Sequence, residues 1–199
     1  MLLASSKEKI KAQICAAESV SDAEFVCVVS ANSVNYVSRV VIMSCVSAFG
    51  VGLIFCLIPA VGKIALFEIM VAVFVIAQIL FSKFPNLVRA LTPKFIKFRL
   101  SYEYCAAKFA ELGYANIDEA VAFFVCTSER YAHIIVGKKI AKCVSNDEFR
   151  AVVDKFNPTK YGLDGEVEWA MGKICDIVSE KVKKTNDRNE IVESLVEIR

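Results

Sequence analysis

The stretch that decides the fold is VVIMSCVSAFGVGLIFCLI, residues 40–58, because it contains no charged residue. From Val40 to Gly62 the chain runs for 23 residues without a charge. About 20 apolar residues are enough to cross the hydrocarbon core of a bilayer as a helix. The alternative, a buried core helix of a soluble protein, is disfavoured, because a domain this small has too little mass to cover helices that are apolar on every face.

A second apolar run follows at once, from Ile64 to Ser82. Pro59 and Lys63 mark a tight turn between the two runs. Glu68 is the one charge of the second run and lies near enough to this turn to reach the membrane interface. The sequence therefore predicts a transmembrane helical hairpin over residues 39–83, with spans of about 40–60 and 64–82.

Basic residues flank the open side of this hairpin. Arg39 precedes the first span, and a run of basic residues with no acidic residue among them follows the second, at Lys83, Arg89, Lys94, Lys97 and Arg99. Positive residues stay on the cytoplasmic side of a membrane. We therefore expect a multi-pass protein of the plasma (inner) membrane, in contact with the lipid bilayer, with both termini in the cytoplasm.

Composition limits the other classes of function. The net charge of +2 and the lack of a basic arm argue against a nucleic-acid partner. The eight cysteines include no CxxC pair and His133 is the one histidine, so a zinc site is not indicated. Unpaired cysteines inside apolar segments suit a reducing compartment.

The segments outside the hairpin predict one α/β domain. A helix over residues 6–18 precedes a buried strand at Phe25–Val29, which cannot form a stable sheet alone. Its candidate partners follow the hairpin, at Val121–Cys126 and Tyr131–Val136, and these two strands form a β-hairpin of their own. We expect the three strands to share one sheet, because two spans return the chain to the side on which it started.

Helices are predicted around these strands. One covers residues 94–112, and its basic and aromatic first half either lies along the anionic membrane surface or packs on the core. Ser145 and Glu148 fit a capping box that opens another helix to about Phe156. A last helix begins at Asp164 or Gly165, and the residues after Lys183 form a charged tail.

This order of elements, with the motifs FFVCTSER and IIVGKKI and the ending DRNEIVESLVEIR at residues 187–199, resembles the TPM domain family in its bacterial membrane-hairpin branch. The resemblance spans nearly the whole chain. It implies an αβα sandwich with the two-helix transmembrane hairpin inserted after the first strand. Residues 1–38 would supply the first helix and strand, residues 84–183 the rest of the domain, and residues 184–199 the tail.

The family's functional pattern is poorly kept at the matching positions. Ala120 stands where the family has Gly, Gly137 where it has Asp, and Lys139 where it has a second Gly. Glu24 matches the acidic residue that opens the first strand, and Glu129 and Arg130 match the family's ER turn. The carboxylate that the family has at this position is therefore absent, and Gly137 stands in a basic turn, Gly137-Lys138-Lys139. The two lysines of this turn would repel a divalent cation and attract a phosphate or acidic group.

Two functions follow as hypotheses. The first is a non-enzymatic protein whose cytoplasmic domain binds or assists a membrane-associated protein partner, with no catalytic residue and no cofactor. The second, which the resemblance permits, is a membrane-tethered, metal-dependent acid phosphatase. Calcium or magnesium would then be held by carboxylates near the sheet, and the candidates are Glu24, Asp118, Glu119 and Asp147. A transporter is disfavoured, because two spans with one peripheral carboxylate offer no polar pathway.

Overall fold

A computed structural model describes residues 2–31, 36–58, 62–128, 130–157, 162–185 and 194–198. The predicted turn at residues 59–61, Glu129 and residues 187–193 of the family-like ending lie outside these ranges. The chain divides into two compact units, one formed by Met1–Val34 with Phe98–Arg199 and the other by Asn35–Lys97.

The helices and strands alternate irregularly along the chain. In order they are α1 (Ala4–Val20), β1 (Glu24–Ser30), α2 (Val37–Cys56), α3 (Lys63–Lys83), α4 (Pro85–Leu91), α5 (Lys94–Glu111), a 3-10 turn (Tyr114–Asn116), β2 (Ala120–Cys126), β3 (Tyr131–Val136), α6 (Lys138–Cys143), α7 (Asn146–Lys155), α8 (Gly162–Lys181) and β4 (Leu195–Ile198).

The first unit is built on a mixed four-stranded sheet with the order β3-β2-β1-β4. Strand β1 runs parallel to β2 and to β4, and β3 runs antiparallel to β2. Glu24 stands opposite Ala120, and Val121 stands opposite Val136. The predicted mixed α/β class is confirmed, and the strands on either side of the hairpin segment do share one sheet.

Both central strands are buried along their whole length. Their sequences, EFVCVVS and AVAFFVC, are apolar runs without alternation, which is typical of strands covered on both faces. Phe25 and Phe123 face a core formed with α1, α7 and α8, whereas Val26 and Phe124 face a core formed with α5. The helices therefore lie on both faces of the sheet.

Strand β4 was not among the predicted strands. The sequence pattern predicts a charged tail from residue 184, whereas Leu195–Ile198 pair with Cys27–Ser30 of β1. The strand is four residues long and only half buried. A segment this short shows too little periodicity to be recognised from sequence, and its pairing depends on the edge that β1 offers.

The second unit contains the two apolar helices. Helices α2 and α3 are 20 and 21 residues long, with mean hydropathies of 2.1 and 2.6, and by length and composition both could span a membrane. Helix α2 buries a single stripe of residues four apart, which are Val40, Ser44, Ala48 and Gly52. Because residues four apart lie on one face of a helix, α2 packs along one narrow line and leaves its other faces open.

Candidate binding groove at the edge of the sheet

Three of the four predicted metal ligands lie where β1 and β2 begin. Glu24 is buried and opens β1, and its amide donates to the carbonyl oxygen of Glu119 at 3.1 Å. Asp118 is exposed, and its carbonyl oxygen accepts from the amide of Lys139 at 2.9 Å. The contacts that join these segments are thus largely backbone hydrogen bonds.

The side chain of Glu119 already has a partner. Its Oε1 accepts a hydrogen bond from Nζ of Lys139 at 2.8 Å, and this bond raises the pKa of Lys139. The fourth predicted ligand, Asp147, lies elsewhere, in the first turn of α7. Among the described residues, no three His, Cys, Asp or Glu side chains form a group that could hold a metal ion.

The segment predicted as a basic turn, Gly137-Lys138-Lys139, is instead the start of α6, with Gly137 as its N-cap. The backbone of Gly137 does not require a glycine, because its φ of −68° is one that other residues adopt. A glycine is required at position 137 because there is no room for a side chain. A Cβ at this position would lie 2.3 Å from the carbonyl oxygen of Asp118 and 2.5 Å from that of Ile117.

The predicted capping box of α7 is confirmed. The Ser145 side chain accepts from the amide of Asp147 at 3.2 Å, and the Glu148 carboxylate accepts from the amide of Ser145 at 3.1 Å. Glu148 also pairs with Lys181 of α8 at 2.5 Å. This second contact joins the start of α7 to α8, and Phe149 and Val152 of α7 pack in the core on that face of the sheet.

Of the predicted membrane-flanking residues, Arg39 is in the first turn of α2 and Lys83 ends α3. Arg89 lies in α4, with its guanidinium 5.7 Å from the centre of the Tyr36 ring. Lys94 begins α5. All four therefore lie within or next to the unit that carries the two apolar helices.

A groove of about 700 Å³ runs along β3 in the first unit. We call it the β3 groove. Phe98 and Tyr102 of α5 form one wall, and Phe149 and Val153 of α7 form the other. The floor is the outer side of β3, at residues 132–134 and 136.

The hydrogen-bonding pattern of β3 sets the chemistry of this floor. The amide of Gly137 donates to the carbonyl oxygen of Ala120 at 2.7 Å, so these two residues form a hydrogen-bonded pair. The pairing of β2 with β3 continues from there without a shift, from Val121 opposite Val136 to Cys126 opposite Tyr131. In an antiparallel pair, every second residue points its N–H and C=O away from the partner strand. Here those residues are Ala132, Ile134 and Val136. Because β3 is the last strand on its side of the sheet among the described residues, their N–H and C=O groups point to the open side of β3, along which the groove runs.

The side chain of His133, on the floor of the groove, contacts the α5 wall. Its Nε2 is 3.2 Å from the hydroxyl of Ser101, and its ring packs against Phe98 and Tyr102 with centroids 4.9 and 5.8 Å away. Burial lowers the pKa of His133 to about 4. The ring is therefore neutral at pH 7 and contributes a packed, uncharged surface.

The groove was missing from the sequence interpretation. The helix that holds Phe98 and Tyr102 was predicted over residues 94–112, but its aromatic residues differ in the structure, since Phe98 and Tyr102 line the groove whereas Phe95 is 73% exposed. The buried face of α5 is formed by Ser101, Cys105 and Phe109. The sequence predicted each of the three elements that form the groove, which are α5, β3 and α7. It did not indicate that β3 is an edge strand or that α5 and α7 flank it.

Comparison with known proteins gives the fold but no family. No family model and no curated protein matches the chain. A similar solved structure is the NMR structure of the BA42 protein from the psychrophilic bacterium Bizionia argentinensis, at a TM-score of 0.51 and 12% sequence identity. The match covers 99% of this chain and 95% of that chain. At this identity the likeness shows a shared fold alone.

Proposed function

We propose that the protein is a membrane-anchored binding protein. Helices α2 and α3 cross the inner membrane as a hairpin, and the α/β unit binds or assists a membrane-associated protein partner on the cytoplasmic side. The observation that carries this proposal is the apolar surface that α2 and α3 leave open.

That surface is unlike the surface of core helices. Leu53 of α2 is 70% exposed, and Ile64 and Phe67 of α3 are 78% and 68% exposed. Contiguous exposed apolar patches are rare in soluble monomers and mark contact with a membrane or another protein. Helices of 20 and 21 residues match the thickness of the hydrocarbon core.

The sheet supports an even number of crossings. Strands β1 and β2 are neighbours in one sheet, although residues 31–119 separate them along the chain. A single crossing would place the two strands on opposite sides of the bilayer. A hairpin of two helices returns the chain to its starting side, and the basic residues at both ends of the hairpin favour the cytoplasm as that side.

A binding role fits the site better than catalysis does. The β3 groove is open and mostly apolar, as binding sites generally are. The phosphatase alternative depends on the resemblance to the TPM family, which stays a prediction. In the part of the chain that the structure describes, no contact favours it, since Glu119 is paired with Lys139 and Asp147 lies in another part of the unit.

Thiol labelling in sealed spheroplasts tests the membrane arrangement. Cys15 and Cys143 are exposed on the α/β unit, so variants keeping one of them should react with a membrane-impermeant maleimide only after lysis. A Lys63→Cys variant without other cysteines should react before lysis. Labelling of all three on the same side, or release of the protein by alkaline carbonate, would remove the hairpin from the proposal.

The binding role is tested by in-cell cross-linking and affinity purification from detergent-solubilised membranes, followed by mass spectrometry. We expect a protein that the full chain retains and that residues 35–97 expressed alone do not. As a test of the alternative, the purified protein is incubated with p-nitrophenyl phosphate and Mg²⁺ or Ca²⁺. Phosphate release that Asp118→Asn abolishes would replace the binding role with the phosphatase.

A further inference from the structure

We propose that the β3 groove binds an extended, uncharged segment of the partner protein, which adds to β3 as a fifth strand. The inference deepens the proposed function and rests on it, because the segment is taken to belong to the membrane-associated partner. It is carried by the backbone groups on the groove floor and by the walls on either side.

The floor selects for a polypeptide. Ala132, Ile134 and Val136 each turn an N–H and a C=O into the groove, at intervals of two residues. In a strand two residues span about 6.6 Å, so the floor is a ladder of donors and acceptors with that repeat. An extended backbone offers the same repeat, and strand addition to an open edge is a known mode of peptide recognition.

The walls provide room for side chains on both sides of an added strand. Successive side chains of a strand point to opposite faces. Those on one face would meet Phe98 and Tyr102 of α5, and those on the other would meet Phe149 and Val153 of α7. Both sets of contacts are apolar or aromatic, so the segment should carry apolar residues on its two faces near the centre of the groove.

The charges of the groove argue for an uncharged occupant. Arg150 and Asp154 line the α7 side and form an ion pair with each other, with Nε and Oδ2 3.7 Å apart. His133 is neutral at pH 7. The charges of the described lining residues therefore sum to zero, and a charged side chain brought into the groove would lose hydration without a net counter-charge.

A second copy of this chain fits the groove less well than a bare segment does. In any copy, β3 lies between its own α5 and α7. Pairing two β3 edges would therefore bring four helices against one another before the strands met. A segment without flanking helices enters between the two walls, and dimerisation becomes an outcome that the experiment must separate.

The test uses the full chain in lipid nanodiscs and a phage-displayed library of random seven-residue peptides. Binders are counter-selected against a Val153→Trp variant, whose larger side chain fills the groove without altering the backbone of β3. We expect enriched peptides that are uncharged, apolar at their central positions and at least tenfold weaker on the variant. No enrichment, or equal binding to Val153→Trp, would overturn the proposal.

Backbone pairing is tested with one enriched peptide. Hydrogen exchange of the Ala132, Ile134 and Val136 amides should slow at least tenfold when the peptide binds. N-methylation of the alternate peptide amides that face β3 should abolish binding, whereas methylation of the other amides should leave it within threefold. Equal effects of the two methylation patterns, or protection at another surface, would show that no strand is added.

A proline at Ile134 gives a second, independent variant. Because the Ile134 amide points away from β2, Ile134→Pro removes a groove donor and keeps the ladder with β2, as is tolerated on edge strands. Binding of the peptide should weaken tenfold or more, while Ile134→Val should bind within twofold of the original protein. Should Ile134→Pro not fold, Val153→Trp and the methylated peptides still decide the question.

Failure of this inference is distinguishable from failure of the proposed function. If Val153→Trp captures the same membrane protein as the original chain, partner binding stands and the groove is not its site. Analytical ultracentrifugation in detergent tests the remaining alternative, which is dimerisation through β3. A concentration-dependent dimer that excludes the peptide would assign the β3 edge to a second copy and overturn the peptide proposal.

Discussion

At the scale of single residues, Gly137 shows that a glycine can be required by space rather than by conformation. Its φ is ordinary, but two carbonyl oxygens lie closer to its missing Cβ than any real contact allows. This close approach lets the start of α6 hydrogen-bond to the segment before β2, through the amide of Lys139. The Glu119 carboxylate, one of the predicted metal ligands, is likewise paired with Lys139.

Replacing Gly137 should destabilise the α/β unit. The added Cβ of Gly137→Ala meets backbone atoms that cannot move freely, so we expect a loss of about 1–3 kcal/mol. Thermal unfolding followed by the fluorescence of Trp169, the one tryptophan, measures it. Gly172→Ala is the matched control, because its Cβ would approach Gln13 no closer than 3.4 Å. Equal stability of the two variants would contradict the steric explanation.

His133 should make stability depend on pH. Its folded pKa of about 4 lies below the unfolded value of 6.5, so the unfolded chain takes up the proton first as the pH falls. The stabilisation is present at pH 7 and is lost as the pH drops from 6.5 towards 4, on the order of 2 kcal/mol by pH 5. For a chain of this size the unfolding temperature should fall by about 4–8 °C.

The control for this pH dependence is His133→Gln, which keeps a polar group beside Ser101 and does not titrate. Unfolding temperatures of both proteins in the same detergent at pH 7 and pH 5 are compared. The decrease should be larger for the original protein, since other titrating groups affect both equally. A decrease of the same size in the two proteins would mean that His133 takes its proton in the folded state.

At the scale of elements, the pairing of α2 with α3 depends on small residues. Ser44, Ala48 and Gly52 lie on the buried stripe of α2, and Ala77 of α3 is buried in turn. In a membrane, small residues let helix backbones approach, since burial of apolar surface gives no driving force between helices in lipid. The hydroxyl of Ser44 is satisfied within its own helix by the carbonyl oxygen of Val40 at 2.8 Å.

Two glycines of α2 allow a matched comparison. A Cβ at Gly52 would lie 2.8 Å from the sulfur of Met70, whereas a Cβ at Gly50 meets nothing within 4 Å. Gly52→Leu should therefore force the helices apart at a cost of about 1–3 kcal/mol, and Gly50→Leu should be tolerated. Far-UV circular dichroism during heating in detergent reports the hairpin. An equal loss of helix stability in both variants would refute the packing.

At the scale of the whole molecule, the last residues complete the sheet. Strand β4 covers the edge of β1, and Val196 and Ile198 pack on the same core as Phe124. Glu197 accepts from the amide of Leu2 at 3.0 Å and pairs with Lys7 at 2.8 Å, so both ends of the chain meet at this strand. Among the described strands, the sheet therefore ends in β4 on one side and in β3 on the other.

Removing residues 194–199 should expose the edge of β1. Partial burial of three apolar side chains is lost, which corresponds to about 2–4 kcal/mol, and an uncovered edge promotes self-association. Trp169 fluorescence during denaturation and light scattering measure the two effects. Glu197→Gln keeps the strand and loses a partly exposed ion pair, so it should cost less than about 1 kcal/mol. A truncated protein as stable as Glu197→Gln would show that β4 adds nothing.

The sequence by itself determined the features that depend on local residue patterns. The apolar runs located α2 and α3, although α2 begins and ends a few residues before the predicted span of about 40–60. The residue types of β1 and β2 predicted buried strands and those of β3 a strand, and Ser145 with Glu148 located the start of α7. Each depends on residues close together along the chain. The tertiary structure alone decided the pairing of β4, the spatial reason for Gly137, and the position of β3 as an open edge between α5 and α7. Strand order is set by contacts between residues far apart in sequence, and no local pattern encodes which strands come to lie at the edges of the sheet.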